Sequence, residues 1–296
     1  MGKKNPKKEK SGWSGWLIGL VFLAFFVNGA TVQILTPGSE ENLNAYTTES
    51  EDFRAMDFGK GGLEAMQAFA AENDLDFFEV VTTTMIRHDY HFPGYFPPEF
   101  TKETFMEERE RLMEKKPEAY AKCLSVYRSL LESLVCFPVP ENEGADPAFV
   151  SYENSWRYER SFGGERTHEG TDLMAGEKER GYFPVVSVNG GVVEQVGWLK
   201  LGGWRIGIRS DSGVYYYYAH LYSYARDWQV GDTVSAGEWL GFMGDSGYSE
   251  VEGTVGNFPV HLHLGIYLAT DHFAELSVNP YYLLKYLEPK ATKASY

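Results

Sequence analysis

The stretch "PVHLHLGIY" (residues 259–267) decides the fold expected for the C-terminal half of this 296-residue chain. Its apolar and polar residues alternate, which is typical of a β-strand with one buried face. Side chains two positions apart share a face of a strand, so His261 and His263 should point into the same cavity. Leu262 and Leu264 should then face the core. The stretch therefore predicts a strand that presents two imidazoles side by side.

The rest of the chain carries two kinds of pattern. After Phe183, short apolar segments alternate with glycine turns, as in an antiparallel β-sheet. From Gly61 to Val135 the apolar residues recur at helical spacing, with Thr101 as a helix N-cap and Pro117 in the first turn of the next helix. The sequence thus predicts an α+β fold, in which a helical module precedes a mostly antiparallel β domain.

Three further residues offer metal-binding or proton-transfer groups. His168 and Asp172 lie four apart in "RTHEGTDLMAG", where Gly170 favours a loop, and His220 lies in "YYYYAHLYSY". Zn²⁺ binds imidazole nitrogen and carboxylate oxygen, and a catalytic site uses three protein ligands and leaves a fourth position for water. His168 and Asp172 could reach one ion, with one histidine of the "HLH" pair as third ligand. The other histidine of that pair and His220 would remain for catalysis.

The remaining histidines are interpreted as ordinary residues. His88 and His91 form an H-x-x-H pattern in "RHDYH", which without a network of carboxylates is a weak metal signal, and His272 stands alone. The chain has no H-E-x-x-H helix, which excludes the commoner arrangement of zinc proteases.

From Ser151 to Glu288 the chain resembles the lysostaphin-type zinc endopeptidases, which cut peptidoglycan peptides. The segments that carry the resemblance are, in the family's order, "HEGTDLMA", "PVVSVNGGVVEQVGW", "YYYYAHL", "VGDTVSAGEWLGFMGDSG" and "HLHLGIY". The insertion "GYSEVEGTVGNFP" (residues 247–259) departs from the family, which usually has a short turn there. We expect this insertion to lengthen one wall of the cleft.

The resemblance also implies the roles of the site residues. It implies one Zn²⁺ ion held by His168, Asp172 and His263, and it makes His220 and His261 the two catalytic histidines that do not bind the metal. The function it implies is zinc-dependent hydrolysis of peptide bonds in bacterial cell-wall peptidoglycan by metal-activated water. The alternative is a membrane-anchored scaffold that binds peptidoglycan or a partner without hydrolysis, as degenerate relatives do. The intact set of five residues favours the enzyme.

The N-terminus predicts a membrane anchor. Five lysines within residues 1–12 precede a hydrophobic run over residues 13–32, which approaches the ~20 residues needed to span a bilayer. The lysines predict a cytoplasmic tail and a single-pass protein of the cell membrane, with its C-terminal domain outside. The alternative is a secreted protein, released by signal cleavage after Gly29. Asn28 and the length of the run favour retention of the anchor.

Charge and cysteines restrict the partners further. The net charge of −15, with five lysines among the first ten residues, leaves an acidic remainder that would repel nucleic acid. The expected partners are peptidoglycan peptides and the membrane, and the oligomeric state stays open. Cys123 and Cys136 flank a predicted helix whose thirteen-residue rise of about 20 Å exceeds the reach of a disulfide. We expect two free, buried thiols.

The predicted organisation has seven segments. They are a basic tail (1–12), a transmembrane anchor (13–32), an acidic linker (33–60), a helical module (61–139), a connector (140–165), a zinc peptidase domain (166–289) and a C-terminal tail (290–296). The helical module carries no motif that assigns its role. It could be a spacer, a docking surface, a cover over the active site or simply a packing domain.

Overall fold

A computed structural model describes residues 39–144, 149–161 and 164–296. The predicted basic tail and transmembrane anchor lie outside these ranges. Within them, no helix has the length and apolar character needed to cross a membrane. The described part combines an N-terminal group of helices with a large antiparallel sheet, which confirms the predicted combination of a helical module and an antiparallel β domain.

Helices fill the N-terminal part of the described chain and return once near its end. They are α1 (Ser39–Asn42), α2 (Glu51–Arg54), α3 (Gly62–Asn73), α4 (Phe77–Arg87), α5 (Lys102–Lys115), α6 (Pro117–Glu132) and α7 (Tyr281–Leu287). The hydroxyl of Thr101 accepts the Thr104 N–H at the start of α5, and Pro117 occupies the first turn of α6. Both helix starts confirm the sequence prediction.

Helix α4 was not among the helices predicted individually. Its sequence "FFEVVTTTMIR" is rich in β-branched residues, which lose side-chain freedom in a helix and are commoner in strands. The structure nevertheless places it centrally, against α3, α5 and α6, with every residue from Val80 to Ile86 buried. Packing against these three helices overrides the local preference of its β-branched residues.

The acidic stretch predicted as a linker is folded in its described part, so that prediction is wrong there. Leu43, Phe53, Met56 and Phe58 have no exposed surface. The ring of Phe53 lies 4.7 Å from that of Tyr127 on α6. These apolar residues are spaced singly among acidic ones, and this spacing hides them from a reading of average composition.

Thirteen strands are present in the described ranges. They are β1 (Glu141–Asn142), β2 (Glu159–Arg160), β3 (Arg166–Thr167), β4 (Thr171–Met174), β5 (Pro184–Val186), β6 (Gly191–Leu199), β7 (Gly203–Arg209), β8 (Tyr215–Tyr224), β9 (Thr233–Val234), β10 (Trp239–Met243), β11 (His261–Leu268), β12 (Leu276–Val278) and β13 (Lys293–Ala294). The main sheet has the order β12-β11-β8-β7-β6-β9. Strand β4 pairs with β11, and β10 pairs with β8 and β5. All pairings in this sheet are antiparallel.

The predicted connector and C-terminal tail are also part of the fold. Strand β1 in the connector pairs in parallel with β13 in the tail, and the Tyr296 hydroxyl donates to the Pro140 carbonyl at 2.7 Å. Strand β2 pairs with β3, directly before the residues of the candidate site. Neither segment is a free extension of the peptidase domain.

The two faces of the main sheet have different neighbours. On β11, Leu262 and Leu264 are fully buried in the core, as predicted, and each contributes about 1.5–3 kcal/mol when its side chain leaves water. Tyr216 on β8 faces the helices, where its hydroxyl lies 2.5 Å from that of Ser133, directly after α6. The histidines of β11 occupy the opposite face. The helical module therefore backs the sheet and, within the described residues, lines no part of the cleft on the other face.

Candidate metal centre

One cleft brings together all five residues singled out in the sequence. Its cavity has a volume of about 580 Å³. His168 follows β3, Asp172 lies on β4, His220 on β8, and His261 and His263 on β11. Residues up to 95 positions apart thus meet through strand pairing rather than through nearness in the chain.

Three of the five form a compact cluster. The Nε2 atom of His168 lies 2.9 Å from Oδ1 of Asp172 and 3.0 Å from Nδ1 of His263. Nδ1 of His263 and Oδ1 of Asp172 are 2.9 Å apart, because these two residues are direct partners in the pairing of β4 with β11. A search of the described residues for three or more His, Cys, Asp or Glu side chains that could share one ion finds this cluster.

Gly170 allows this close approach. A Cβ atom at this position would lie 2.4 Å from the Leu264 carbonyl oxygen and 2.7 Å from the His263 ring. Any side chain there would push the loop between His168 and Asp172 away from β11. In the sequence, Gly170 indicated a loop. In the structure, its lack of a side chain also lets this loop contact β11.

The chemistry of the cluster fits a divalent cation. The Nδ1 atom of His168 lies 3.1 Å from the carbonyl oxygen of Ser155, so it donates its proton there and leaves Nε2 with a lone pair. Nε2 then faces a carboxylate oxygen of Asp172, which is an acceptor only when ionised. Two acceptors at hydrogen-bond distance repel each other unless a cation or a shared proton lies between them. Two imidazole nitrogens and one carboxylate oxygen form a ligand set suited to Zn²⁺.

The protonation states favour metal binding. Burial raises the pKa of Asp172, but the close contacts of its carboxylate with the His168 and His263 imidazoles outweigh burial and hold that pKa well below its usual range. Burial lowers the pKa of His263, which keeps its imidazole neutral. The second carboxylate oxygen of Asp172 accepts a hydrogen bond from Nη2 of Arg160 at 2.7 Å. The cluster is thus an ionised carboxylate with a neutral imidazole.

The other two histidines are held alike. Nδ1 of His220 lies 2.8 Å from the Ser246 carbonyl oxygen, and Nδ1 of His261 lies 2.8 Å from that of Pro259. Each ring donates its Nδ1 proton to a carbonyl, so each keeps an accepting lone pair on Nε2. The two rings are 4.7 Å apart, and burial lowers the pKa of both imidazoles. Both are therefore neutral bases near neutral pH.

A bulge in β8 turns His220 into the cleft. Opposite β7, Trp204 pairs with Leu221 and Ile206 with Tyr218, so β8 carries one extra residue at this point. His220 has a positive φ of 63°, which is uncommon outside glycine. Simple alternation along β8 would have placed this imidazole on the face of Tyr218, which packs in the core. The bulge re-aims the side chain.

The insertion at residues 247–259 forms part of the cleft wall, as expected. The Phe258 ring lies 4.7 Å from that of His220 and 5.2 Å from that of His261, and the Tyr248 ring lies 5.8 Å from that of His220. On the other side of His261 the cleft continues into a second lobe of about 590 Å³, which shares Tyr248 and Asp172 with the first.

Several site residues were missed in the sequence. Ser155 and Arg160 hold two of the candidate ligands, and Tyr248 and Phe258 pack against the two further histidines. The aromatic residues of the insertion were a usable signal, because the insertion was already expected in the wall. No spacing rule connects Arg160 to Asp172.

The remaining histidines and the cysteines lie outside the site. Nδ1 of His91 contacts Asp57 at 3.1 Å, and Nδ1 of His272 contacts Glu49 at 3.0 Å, both at the surface. Asp52 also lies 3.8 Å from His91, so carboxylates are nearer to "RHDYH" than the sequence indicated. Both cysteines are free and buried, as predicted. Burial raises the pKa of the Cys123 thiol to about 12 and that of the Cys136 thiol to about 11.

Comparisons with known proteins identify relatives of the C-terminal half. The family model described as peptidase family M23 matches residues 166–280. The L-Ala–D-Glu endopeptidase of Bacillus subtilis is 45% identical over 131 residues, which cover 44% of this chain and 38% of that protein. Lysostaphin of Staphylococcus simulans is 38% identical over 68 residues, which cover 22% of this chain and 13% of that protein. The chain thus spans less than half the length of these curated relatives.

A solved structure extends the similarity to the helical module. This structure, of a provisionally assigned glycyl-glycine endopeptidase, lytM, from Ruminococcus gnavus, is 38% identical. The match has a TM-score of 0.74 and covers 88% of this chain and 100% of that chain. Because a relative of this identity is matched over its whole length, and the family model matches the range that contains all five candidate residues, this chain belongs to peptidase family M23.

Proposed function

We propose that this protein is a zinc-dependent endopeptidase that hydrolyses peptide bonds in bacterial cell-wall peptidoglycan. The observation that carries the proposal is the cluster of His168, Asp172 and His263, whose ligand atoms lie within 3.0 Å of one another. Two neutral imidazoles lie beside it, each with one nitrogen fixed by a carbonyl. Membership of peptidase family M23 supports the same reaction class.

The three clustered residues would hold the ion. When bound, Zn²⁺ polarises the carbonyl of the substrate and lowers the pKa of water from about 16 towards about 7. The protein's own residues have the remaining tasks, which are to orient the substrate and to move one proton. That proton leaves the attacking water as the water oxygen bonds to the carbonyl carbon, and it reaches the amine nitrogen as the C–N bond breaks.

We assign the proton transfer to His261. Its Nε2 atom lies 3.8 Å from Oδ1 of Asp172, so it is next to the ligand cluster. Its Nδ1 is fixed by Pro259, and burial lowers its pKa, so Nε2 accepts a proton from water and later gives it up to the leaving amine. His220 packs against His261 and keeps the same accepting Nε2, so we assign to it the second acid–base position, where it accepts a hydrogen bond from the attacking water and helps to remove its proton.

The relatives suggest two substrates for this chain. One is named for the L-Ala–D-Glu bond and the other for the glycyl-glycine bond. We propose the L-Ala–D-Glu bond first, because the relative named for it shares the higher identity, 45% against 38%. The two lobes of the cleft give an extended peptide room on both sides of His261.

The proposal is tested with the purified full-length chain on purified cell wall and on two synthetic peptides, one with each bond. We expect new amino groups to be released, release to stop with a chelator, and added zinc to restore it. Mass spectrometry of the products identifies the bond that is cut. A protein that binds zinc but releases no amino groups from the wall or from either peptide would contradict the hydrolase and favour the non-hydrolytic scaffold.

We also propose that residues 13–32 anchor the protein in the cell membrane with the cleft outside. The support is the hydrophobic run behind five lysines, because such a charge bias sets orientation. Cell fractionation should place the intact chain in the membrane fraction, resistant to a high-salt wash. A soluble external form that begins at Ala30 would show that the segment is a cleaved signal instead.

A further inference from the structure

Two of the candidate zinc ligands are held by a segment outside the matched family region. That region begins at residue 166, and residues 151–160 precede it. The carbonyl oxygen and the hydroxyl of Ser155 each lie 3.1 Å from Nδ1 of His168. Nη2 of Arg160 donates to Oδ2 of Asp172 at 2.7 Å. The segment thus contacts the atoms of His168 and Asp172 that face away from the cluster.

The contact between Arg160 and Asp172 fixes the orientation of the Asp172 carboxylate. Arg160 occupies Oδ2, which leaves Oδ1 to face His168 and His263. The side chains of Arg160 and Asp172 are only 33% and 17% exposed, so water competes weakly for this charge-assisted hydrogen bond. Rotation of the carboxylate would break the contact. Arg160 therefore orients a ligand without contacting the ion itself.

The segment is in turn attached to the N-terminal helices. The guanidinium of Arg54, at the end of α2, lies 5.4 Å from the Trp156 ring and donates to the Ser277 carbonyl at 2.9 Å. The Trp156 indole N–H donates to the Ser277 hydroxyl, and Arg157 pairs with Glu51 at 3.1 Å. These contacts hold residues 151–160 between α2 and β12.

Backbone contacts carry the attachment to the ligand itself. The Arg157 N–H donates to the His168 carbonyl at 2.7 Å, and the His168 N–H donates to the Tyr158 carbonyl at 2.8 Å. A continuous set of contacts thus runs from α2 through residues 151–160 to His168 and Asp172.

We propose that Arg160 is a positioning residue of the metal site and that residues 151–160, braced by Arg54, hold two of its ligands in place for the ion. The inference rests on the proposed function, because it takes the cluster as a zinc site. It also gives the N-terminal part of the fold a task, since α2 supports residues 151–160 through Arg54 and Glu51.

The test measures zinc affinity of the full-length protein by competition with a chelating dye. Removal of a side chain that orients a metal ligand typically weakens metal binding about 10- to 100-fold, and we expect that loss for Arg160→Ala. Arg160→Lys keeps the charge but loses the planar donor fork, so its affinity should fall between those of Arg160→Ala and the wild type. Arg226→Ala is the matched control, because it removes a similar pair with Asp232, at 2.8 Å, in the exposed loop between β8 and β9.

Two further readouts separate positioning from general damage. In protein loaded with Co²⁺, Arg160→Ala should change the visible absorption spectrum of the ion, whereas Arg226→Ala should leave it as in the wild type. The metal-free forms should keep the wild-type circular dichroism spectrum. Arg54→Met, which breaks the brace without contacting a ligand, should weaken zinc binding less than Arg160→Ala does.

The outcomes distinguish this inference from the proposed function. If the wild type binds zinc and cleaves peptidoglycan while Arg160→Ala binds zinc equally well, the positioning role is overturned and the hydrolase stands. If the wild type binds zinc without cleaving, weaker binding in Arg160→Ala still supports the positioning role although the hydrolase fails. A wild type that does not bind zinc overturns both.

Discussion

The cleft has a floor, formed by β4 and β11, and a wall, formed by the insertion at residues 247–259. Different interactions hold these two parts in place. On the floor, hydrogen-bonded strand pairing sets the positions, so that His263 lies directly opposite Asp172. On the wall, residues 247–259 form no strand and are fixed by separate loop contacts, such as the hydrogen bonds from the Gly256 N–H to the Asp245 carboxylate at 2.9 Å and from the Ser249 N–H to the Lys200 carbonyl at 3.0 Å. A ladder cannot shift without breaking several bonds, whereas a wall can change its length without disturbing the floor. The three proposed ligands thus lie on a part of the cleft that is built separately from the wall.

The largest effect should follow from a change in the floor. Asp172→Ala removes one of the three proposed ligands and leaves Arg160 without its carboxylate partner. We expect hydrolysis of purified cell wall to fall to background and bound zinc to be lost, as measured by amino-group release and by metal content. The control is Glu177→Ala, which removes an exposed carboxylate just after the same strand and should retain both. Zinc retained at full occupancy in Asp172→Ala would contradict the ligand assignment.

A smaller loss should follow from His220→Asn, which leaves the ligand cluster intact. Asparagine tolerates the positive φ of this position but cannot exchange a proton as imidazole does. We expect kcat to fall about 100- to 10,000-fold, the usual contribution of a positioned acid–base group, while zinc stays bound. Steady-state kinetics and metal content on the same sample check this. A kcat within a factor of two of the wild type would remove His220 from the mechanism.

The smallest effects should come from the wall. Phe258→Ala removes a ring that packs against His220 and His261, the two histidines proposed to be catalytic. We expect kcat/KM to fall about 10- to 100-fold, because a displacement of catalytic groups by about 1 Å can cost about 100-fold. Tyr248→Phe keeps its ring contacts and loses the hydrogen bond from Arg166, so we expect a loss of about fivefold or less. Equal losses in both variants would show that the hydroxyl, rather than ring packing, matters in the wall.

The contrast between regular strand pairing and irregular contacts also explains which parts of the site could be predicted from the sequence. The strand of His261 and His263 follows from alternation alone, because one face of β11 is core. His220 was singled out as a free histidine, but its place in the cleft does not follow from alternation along β8, which gives the wrong face until the bulge corrects it. Arg160 contacts Asp172 through the β2–β3 pair, and no period in the sequence marks such a contact.

The helical half was predictable in its exposed helices and not in its buried one. Thr101 and Pro117 mark the starts of α5 and α6 because helix ends need caps and tolerate proline. Helix α4 lacks an exposed face, so its β-branched residues point to a strand until its neighbours are known. The stretch around Phe53 reads as a linker because its acidic residues outnumber the apolar side chains that pack in the core.

The most direct test of the account compares the two histidines of β11, which share a strand and a face. Zinc content per chain is measured for the wild type, His261→Ala and His263→Ala, each purified with zinc and then dialysed. We expect one ion per chain in the wild type and in His261→Ala, although the latter no longer cleaves peptidoglycan, and little or none in His263→Ala. Loss of zinc from His261→Ala, or its retention in His263→Ala, would contradict the division of the five residues into three ligands and two catalytic groups.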